Sequence, residues 1–374
     1  MNNRDIQAAW EYHNRTKHSQ QSIRSNPHYL DWENQPIPFK IYSQLEAIPL
    51  PRNLSSAGVP TLAAICPGVD SSDRAPDLQT LATILYLSAG ITKKRSYPGG
   101  EILFRAAACT GALYHIDLYV VCGDLPDLAA GVYHFSPHDF ALRKLRSGDY
   151  RSVLAGASGN ELSVASAPVI LVSASTYWRN AWKYQARAYR HAYWDNGTIL
   201  ANLLAASAAH RLPAKIVLGF VDALVNTLLG LDPAKEGALS LVSLGSGPPV
   251  PPAADLDLDP IAYETVSLSK KEVDYPAMRD MHEASSLETE DEALEWRTRA
   301  LGQTAAQIKP AEPEQRKIFP LQPMTDAEIP QDTLEQVVQR RGSTREFSRE
   351  PISFAELSTM LKRSTCPIPA DVLG

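Results

Sequence analysis

The spacing of hydrophobic and polar residues divides the chain into segments of different character. Apolar residues recur at near-helical spacing over residues 5–17, which predicts a helix, and a polar stretch then predicts an arm up to residue 60. A second amphipathic pattern over residues 76–89, ended by a glycine, predicts another helix. The polar residues 93–100 (KKRSYPGG) indicate a loop that leads into an apolar run.

That run opens a region in which short apolar segments alternate with helical patterns. The pattern predicts strands over 118–122, 131–135, 140–145, 168–173 and 215–219, and helices over 150–157, 178–192, 195–210 and 222–229. The second and third strands form a hairpin around a Ser-Pro-His-Asp turn. A layered α+β or α/β domain is therefore expected over residues 61–247, with α+β preferred.

The remaining segments are less apolar. Residues 248–332 combine prolines with the acidic run LETEDEALE and read as a linker, with one helix over 287–301 whose charges face solvent. Periodic residues return at 333–374, where an amphipathic helix is predicted over 352–361. With residues 1–60 as an N-terminal helix and arm, the chain is expected to have four parts.

Composition narrows the class of protein. The chain has 374 residues, 44% hydrophobic and 21% charged, with a net charge of −6. We expect a cytoplasmic protein with no membrane span and no nucleic-acid partner, since a nucleic-acid binder normally carries a basic face. The four cysteines form no CxxC pair and have no clustered histidines, so we expect reduced thiols, no disulfide framework and no metal site.

Three stretches could carry chemistry. The small residues of RAAACTGALYHIDLYVV, which begins at Arg105, expose backbone to which a flat ligand could bind, although composition alone favours a tight turn before a core strand. The arginines and serine of RRGSTREF suit a phosphate or a solvated helix end. Lys183 and Tyr184 are a possible proton-transfer pair, or part of an exposed cationic face. The histidines at 115, 134 and 138 are expected at the surface or in caps.

Several stretches together resemble the nitroreductase-like flavoproteins, specifically the SagB-type or McbC-like dehydrogenases. The tract at Arg105 is similar to a family motif of the form RAAPSAGALYPIELYVV, and the stretches PDLAAGVYHFSPHDFALRKLRSGD, KYQARAYRHAYWDNGTILANL and KIVLGFVDALVNTLLGLD resemble later family segments in the same order. RRGSTREFSREPISFAELSTML resembles the element that opens such a domain, so residues 333–374 would begin a second, incomplete repeat.

This resemblance implies a mixed sheet flanked by helices that binds FMN between two domains, as a homodimer or as a pseudo-dimer of repeats. Carried over position by position, it implies catalytic roles for Lys183 and Tyr184. It implies cofactor contacts from the following residues: Ala108, Cys109, Thr110, Gly111, Arg187, Gly219, Arg341, Ser343 and Arg345.

The activity implied is oxidation of a thiazoline or oxazoline in a peptide to the azole. A nitro- or quinone-type reductase that uses NAD(P)H on a small molecule is an alternative within the same class. The chain also departs from the family: Ala108, Cys109 and His115 replace Pro, Ser and Pro, and no RxSxR element precedes residue 73. A flavin-free scaffold or partner of an active homologue is therefore a third hypothesis.

Overall fold

The computed structural model describes residues 5–25, 27–66, 73–98, 100–251, 258–261, 263–304 and 318–372, and the parts of the predicted linker at 252–257, 262 and 305–317 lie outside them. The strands are β1 (Ala47–Pro49), β2 (Ile91–Tyr97), β3 (Gly100–Arg105), β4 (Ile116–Cys122), β5 (Gly131–Ser136), β6 (Ala141–Ser147), β7 (Val169–Thr176), β8 (Ala214–Val217) and β9 (Glu236–Leu244).

The helices of the described residues follow the predicted order, with additions at both ends. They are α1 (Ile6–Thr16), α2 (Gln20–Ser25), α3 (Thr61–Ile65), α4 (Leu78–Ala89), α5 (Arg151–Ala157), α6 (Leu162–Ala165), α7 (Tyr177–Tyr184), α8 (Ala188–Ala209), α9 (Asp222–Leu229), α10 (Pro276–Ser285), α11 (Glu290–Thr304), α12 (Leu334–Arg340) and α13 (Phe354–Ser364).

Seven strands form the central sheet in the order β1-β6-β5-β4-β7-β9-β8. Each neighbouring pair in this sheet is antiparallel, and the parallel contacts among described residues are two isolated bridges, Ile216 with Ala370 and Val221 with Leu287. The α+β class is confirmed. Among the described residues, the expected mixture of parallel and antiparallel pairing is limited to those two parallel bridges. β9, which no pattern predicted, reads GALSLVSL and lies buried between β7 and β8.

Both faces of the sheet are covered by helices, so the central strands are buried along their whole length. Leu118 and Val120 of β4 pack with α4 and α8, whereas Tyr119 and Val121 of the same strand pack with α5 and α9. This alternation follows from the two-residue period of a strand. The sheet therefore forms the middle of a three-layer structure and fixes the ends of β4 and β7.

Two local predictions were wrong. Residues 93–97 are not a loop: they belong to β2, which pairs with β3 in a hairpin that sets Arg95 opposite Ile102. The helix predicted over 178–192 ends earlier, because Gln185 has a φ of +52° and begins a short 3₁₀ turn before α8. The break is thus at Gln185 rather than near residue 194.

The predicted arm and linker pack on the sheet. The arm supplies β1 at the sheet edge and the buried Lys40, and the linker supplies α10 and α11. The helix predicted over 287–301 is α11, but one of its charges is buried: Arg297 donates hydrogen bonds to the carbonyl oxygens of Ser158 and Gly219. Its charges therefore do not all face solvent.

The C-terminal segment, residues 333–372, is anchored to the part of the chain that contains the central sheet. Leu334 and Val338 of α12 belong to the main hydrophobic core, and Cys366 forms a disulfide with Cys66, although the sequence predicted reduced thiols there. The two cysteines are 300 residues apart, so no local spacing could reveal the pair. Asp371 is buried, and its carboxylate accepts hydrogen bonds from the amides of residues 218 and 219.

A buried polar network crosses the sheet where β4, β7 and β9 meet, and its members are Lys40, Asp117, Thr176, Arg179 and Glu236. Arg179 pairs with Asp117, and Lys40 Nζ lies 2.8 Å from Glu236 Oε2. Thr176 Oγ1 lies 2.9 Å from Asp117 Oδ2 and 3.1 Å from Glu236 Oε1, which joins the two ion pairs. We call this set the Asp117 network.

Among the described residues, the helices are too short or too polar to cross a lipid bilayer. The longest helix among the described residues is α8, and it carries buried Asp195 and Asn196 within its length.

Candidate functional site

The small-residue tract between β3 and β4 forms a turn with a strained backbone. Ala106 and Ala107 are buried, whereas Ala108, Gly111 and Ala112 are exposed. φ is +68° at Gly111, +55° at Ala112 and +46° at Tyr114. Positive φ at a residue other than glycine costs on the order of 1–3 kcal/mol and is concentrated at functional sites. We call residues 108–112 the ledge.

A single carboxylate, that of Asp195 in α8, supports the ledge from beneath. Thr110 donates to Oδ1 through its amide at 2.9 Å and its hydroxyl at 2.7 Å. Oδ2 lies 3.1 Å from Cys109 Sγ and 3.0 Å from His115 Nε2. Burial opposes ionisation of Asp195, but these hydrogen bonds outweigh burial and lower its pKa. The four residues are called the Asp195 cluster.

Two further contacts orient this cluster. Ser175 Oγ, at the end of β7, lies 3.0 Å from His115 Nδ1, and the amide of Tyr114 donates to Cys109 Sγ at 3.1 Å. His115 is therefore held at both ring nitrogens, and the sulfur is held by the strained backbone that follows it. Burial lowers the pKa of His115 and raises that of Cys109 to about 12, so both are neutral at pH 7.

Tyr184, at the end of α7, lies over the ledge. A Cβ added to Gly111 would come 2.8 Å from the Tyr184 hydroxyl oxygen, so a side chain at position 111 would displace that phenol. Burial, together with the nearby Asp195 and Cys109, raises the pKa of Tyr184, and its hydroxyl keeps its proton at neutral pH. Lys183 Nζ lies 5.5 Å from the centroid of the Tyr184 ring.

Behind Tyr184, His191 and Asn180 connect α8 and α7 to the ledge. The rings of Tyr184 and His191 meet edge to face at 4.5 Å, and His191 Nδ1 lies 2.8 Å from Asn180 Oδ1. The Asn180 amide donates to the carbonyl oxygen of Thr110 at 3.4 Å. Burial lowers the pKa of His191 to about 4, so the ring is neutral at pH 7.

The RGSTR segment, residues 341–345, follows α12, and Arg341, Ser343 and Arg345 are all exposed. Burial raises the pKa of Tyr114, and the charge of Arg341 opposes this rise. In the part of the chain that the structure describes, the side chains of Arg341 and Arg345 make no hydrogen bond or ion pair, so both are available to an anion.

Two predicted cofactor residues have other contacts. Arg187 donates to the carbonyl oxygen of Thr16 at 2.6 Å and stacks on Trp194 at 5.5 Å, so it ties α1 to α8. The amide of Gly219 donates to Asp371, and a Cβ at position 219 would come 2.7 Å from the Trp296 ring. The described contacts therefore bring Gly111 of the ledge together with Tyr184, on which Lys183 packs, whereas Arg187 and Gly219 contact other parts of the chain.

The histidine prediction needs correction. His115 and His134 are fully buried rather than in caps or at the surface, while His138 is exposed as predicted. Sequence reasoning also missed Asp195 and Asn180. A signal was present for Asp195: it is a carboxylate inside a long, mostly apolar helix, where an unpaired charge is costly.

Comparison with known proteins indicates the class. Residues 73–246, just under half of the chain, match the model of the nitroreductase family. The crystal structure of a protein named "putative nitroreductase" from Anabaena variabilis superposes with a TM-score of 0.65 at 25% identity, covering 95% of this chain and 67% of that one. The described fold thus extends beyond the matched residues into both terminal segments.

Two curated proteins are similar over the same region. The protein named "Putative nitroreductase MJ1384" from Methanocaldococcus jannaschii is 26% identical over 168 residues, which are 45% of this chain and 80% of that protein. The "Trifolitoxin-processing protein TfxB" of Rhizobium leguminosarum bv. trifolii is 29% identical over 160 residues. That match spans 41% of this chain and 43% of TfxB, less than half of either.

Proposed function

We propose that the chain is an FMN-dependent oxidoreductase of the nitroreductase type that oxidises azolines in a peptide to azoles. The observation that carries the proposal is the ledge, an exposed and strained backbone beneath Tyr184. The RGSTR segment adds two exposed arginines that have no partner among the described residues. A flat, anionic cofactor matches this combination, because small residues admit a ring and guanidinium groups bind phosphate.

The residues present fit such a cofactor. Ala108 and Gly111 would face the ring, and Arg341, Ser343 and Arg345 would hold its phosphate, which agrees with their exposure and with the absence of described salt bridges to the two arginines. When bound, the flavin supplies the hydride acceptor. Cys109 and Thr110 would then support the ledge beneath the ring, since their polar side-chain atoms are already directed to Asp195.

Lys183 and Tyr184 would divide the proton chemistry between them. Because the pKa of Tyr184 is raised, its hydroxyl serves as a hydrogen-bond donor that orients the substrate, and Lys183 beside it is the remaining candidate for proton transfer. His191 keeps the phenol in place through its edge-to-face contact. The name of TfxB, a toxin-processing protein, supports a peptide as the substrate.

Absorption spectroscopy tests the cofactor. After incubation with FMN and gel filtration, the purified chain should keep a flavin spectrum, and the double variant Arg341→Ala/Arg345→Ala should lose most of it. Arg340→Ala is the matched control, because Arg340 is already paired with Asp332 at 2.5 Å. A chain that carries no flavin absorption after incubation with FMN and gel filtration contradicts the proposal.

Lys183→Ala tests the reaction. It should abolish azole formation from a thiazoline peptide and leave the flavin spectrum unchanged, since Lys183 packs on Tyr184 rather than on the ledge. If the flavin-bound chain instead reduces nitro compounds or quinones with NAD(P)H and leaves the thiazoline intact, the reductase alternative replaces the azoline assignment.

A second candidate is favoured by Gly219. The resemblance puts this glycine near the flavin ring, yet Trp296 and Asp371 cover it. This favours a flavin-free partner of an active homologue. Its distinguishing result is a chain that binds no FMN but increases the azole-forming activity of a flavin-containing relative when the two are mixed.

A further inference from the structure

Three potential metal ligands meet beneath the ledge. Cys109 Sγ, His115 Nε2 and one carboxylate oxygen of Asp195 all lie within 4.8 Å of one another. They come from three separate elements: the ledge, the residue before β4 and the middle of α8. Cys109 and His115 also stand where the similar family motif has Ser and Pro, so two departures from that motif contact the same carboxylate.

Each of the three side chains has a further contact. Ser175 Oγ contacts His115 Nδ1, the Tyr114 amide donates to Cys109 Sγ, and Thr110 donates through its hydroxyl to Asp195 Oδ1 and through its amide to Oδ2 at 3.0 Å as well. Partners of this kind fix the orientation of ligands in metal sites. The arrangement is therefore more than a chance grouping of polar residues.

We infer that Cys109, His115 and Asp195 bind one Zn²⁺ ion. Thiolate, imidazole and carboxylate are the ligand types that zinc takes in four-coordinate sites, with bond lengths of about 2.0–2.3 Å. Such bonds separate neighbouring ligand atoms by roughly 3.3–3.6 Å. The observed 3.0–3.1 Å from Asp195 Oδ2 to the sulfur and to the imidazole nitrogen is slightly shorter than this, and all three ligand atoms lie within 4.8 Å of one another, so metal binding requires a limited adjustment of the side chains.

The protons and charges balance. Metal binding displaces the thiol proton of Cys109 to solvent, and the imidazole proton moves from Nε2 to Nδ1, which then donates a hydrogen bond to Ser175 Oγ. Thiolate and carboxylate then neutralise the two positive charges of the ion. The buried Arg105 near Cys109 consequently faces a neutral site instead of a second cation.

There is room for a fourth ligand. A cavity of about 10 Å³ adjoins the cluster and is lined by Arg105, Cys109 and Asp195, among others. This volume is close to the roughly 10–15 Å³ that one water molecule needs. A metal-bound water at this position would complete four-coordinate geometry.

Cobalt titration tests the site. The full chain is treated with a chelator and titrated with Co²⁺ alone, and difference spectra are taken so that bound flavin cancels. We expect one equivalent of Co²⁺, a thiolate-to-cobalt charge-transfer band and tetrahedral ligand-field bands, all removed by adding Zn²⁺. Two free thiols are present, Cys109 and Cys122, so the band must come from one of them.

Variants identify which of the two thiols, Cys109 or Cys122, binds the cobalt. Cys109→Ser, which restores the family residue, should abolish the charge-transfer band, and His115→Gln should weaken Co²⁺ binding at least tenfold, while Cys122→Ser should leave the spectrum unchanged. Circular dichroism checks that each variant is folded, and Asp195→Asn serves as a further ligand variant should Cys109→Ser be unstable. Failure to bind stoichiometric Co²⁺ or Zn²⁺, or an unchanged band in Cys109→Ser, overturns the inference.

Discussion

The Asp117 network and the Asp195 cluster lie at neighbouring positions of the sheet but have opposite characters. The network contains two cations and two anions, all buried, and its charges cancel within the protein. The cluster has one carboxylate, neutral donors and a strained backbone that reaches the surface. Complete internal pairing is typical of a structural element, whereas unbalanced donors beside an exposed edge are typical of a binding site.

The largest expected effect comes from breaking the Asp117 network. Asp117→Ala leaves Arg179 buried without its carboxylate, and we expect the free energy of unfolding to fall by about 3–5 kcal/mol. Chemical denaturation measures this. Asp274→Ala, which removes an exposed partner of Arg279, should cost much less, because exposed ion pairs contribute little to stability. Equal losses in the two variants would remove the distinction between a structural network and ordinary ion pairs.

The same network predicts a pH dependence. Burial disfavours ionised Asp117, but Arg179 and His134 outweigh it and hold its pKa far below the usual value. Below about pH 4 the unfolded chain binds more protons than the folded one, so the stabilisation is complete above that pH and decreases as the pH falls. Unfolding at pH 6, 4 and 3 should show the gap between wild type and Asp117→Asn narrowing towards acid.

Removing the disulfide between Cys66 and Cys366 tests how firmly the C-terminal segment is held against the rest of the chain. Cys366→Ser removes the covalent link to Cys66 and should lower the free energy of unfolding by about 2–4 kcal/mol. Limited proteolysis should then cut near the RGSTR segment faster than in wild type. Wild type treated with a reductant should behave like the variant, and unchanged proteolysis would show that α12 alone holds the segment.

The ledge gives the smallest expected change in stability. Gly111→Ala combines a positive φ with a clash against Tyr184, so we expect a loss of about 1–2 kcal/mol and a weaker flavin signal. Gly197→Ala, in open space inside α8, is the control and should raise stability by roughly 0.5–1 kcal/mol. A neutral Gly111→Ala variant would mean that the ledge is not strained.

Periodicity predicted most of the fold because burial on a helix or strand repeats locally. It found α4, α9 and the hairpin of β5 and β6 within a few residues. It missed β9, whose small and polar residues hide a strand that is buried throughout. The site was harder to predict, because Cys109 and Asp195 are 86 residues apart in sequence and only the folding of α8 over the sheet brings them together.

The carboxylate of Asp371 has a consequence for solubility. β8 is the last strand of the sheet, and its free side is covered by residues 369–371, which pair with Ile216 through two backbone hydrogen bonds. An uncovered edge strand recruits strands from other molecules. Asp371 fixes this cover to the amides that follow β8, so one buried side chain near the C-terminal end protects the sheet against edge-to-edge aggregation.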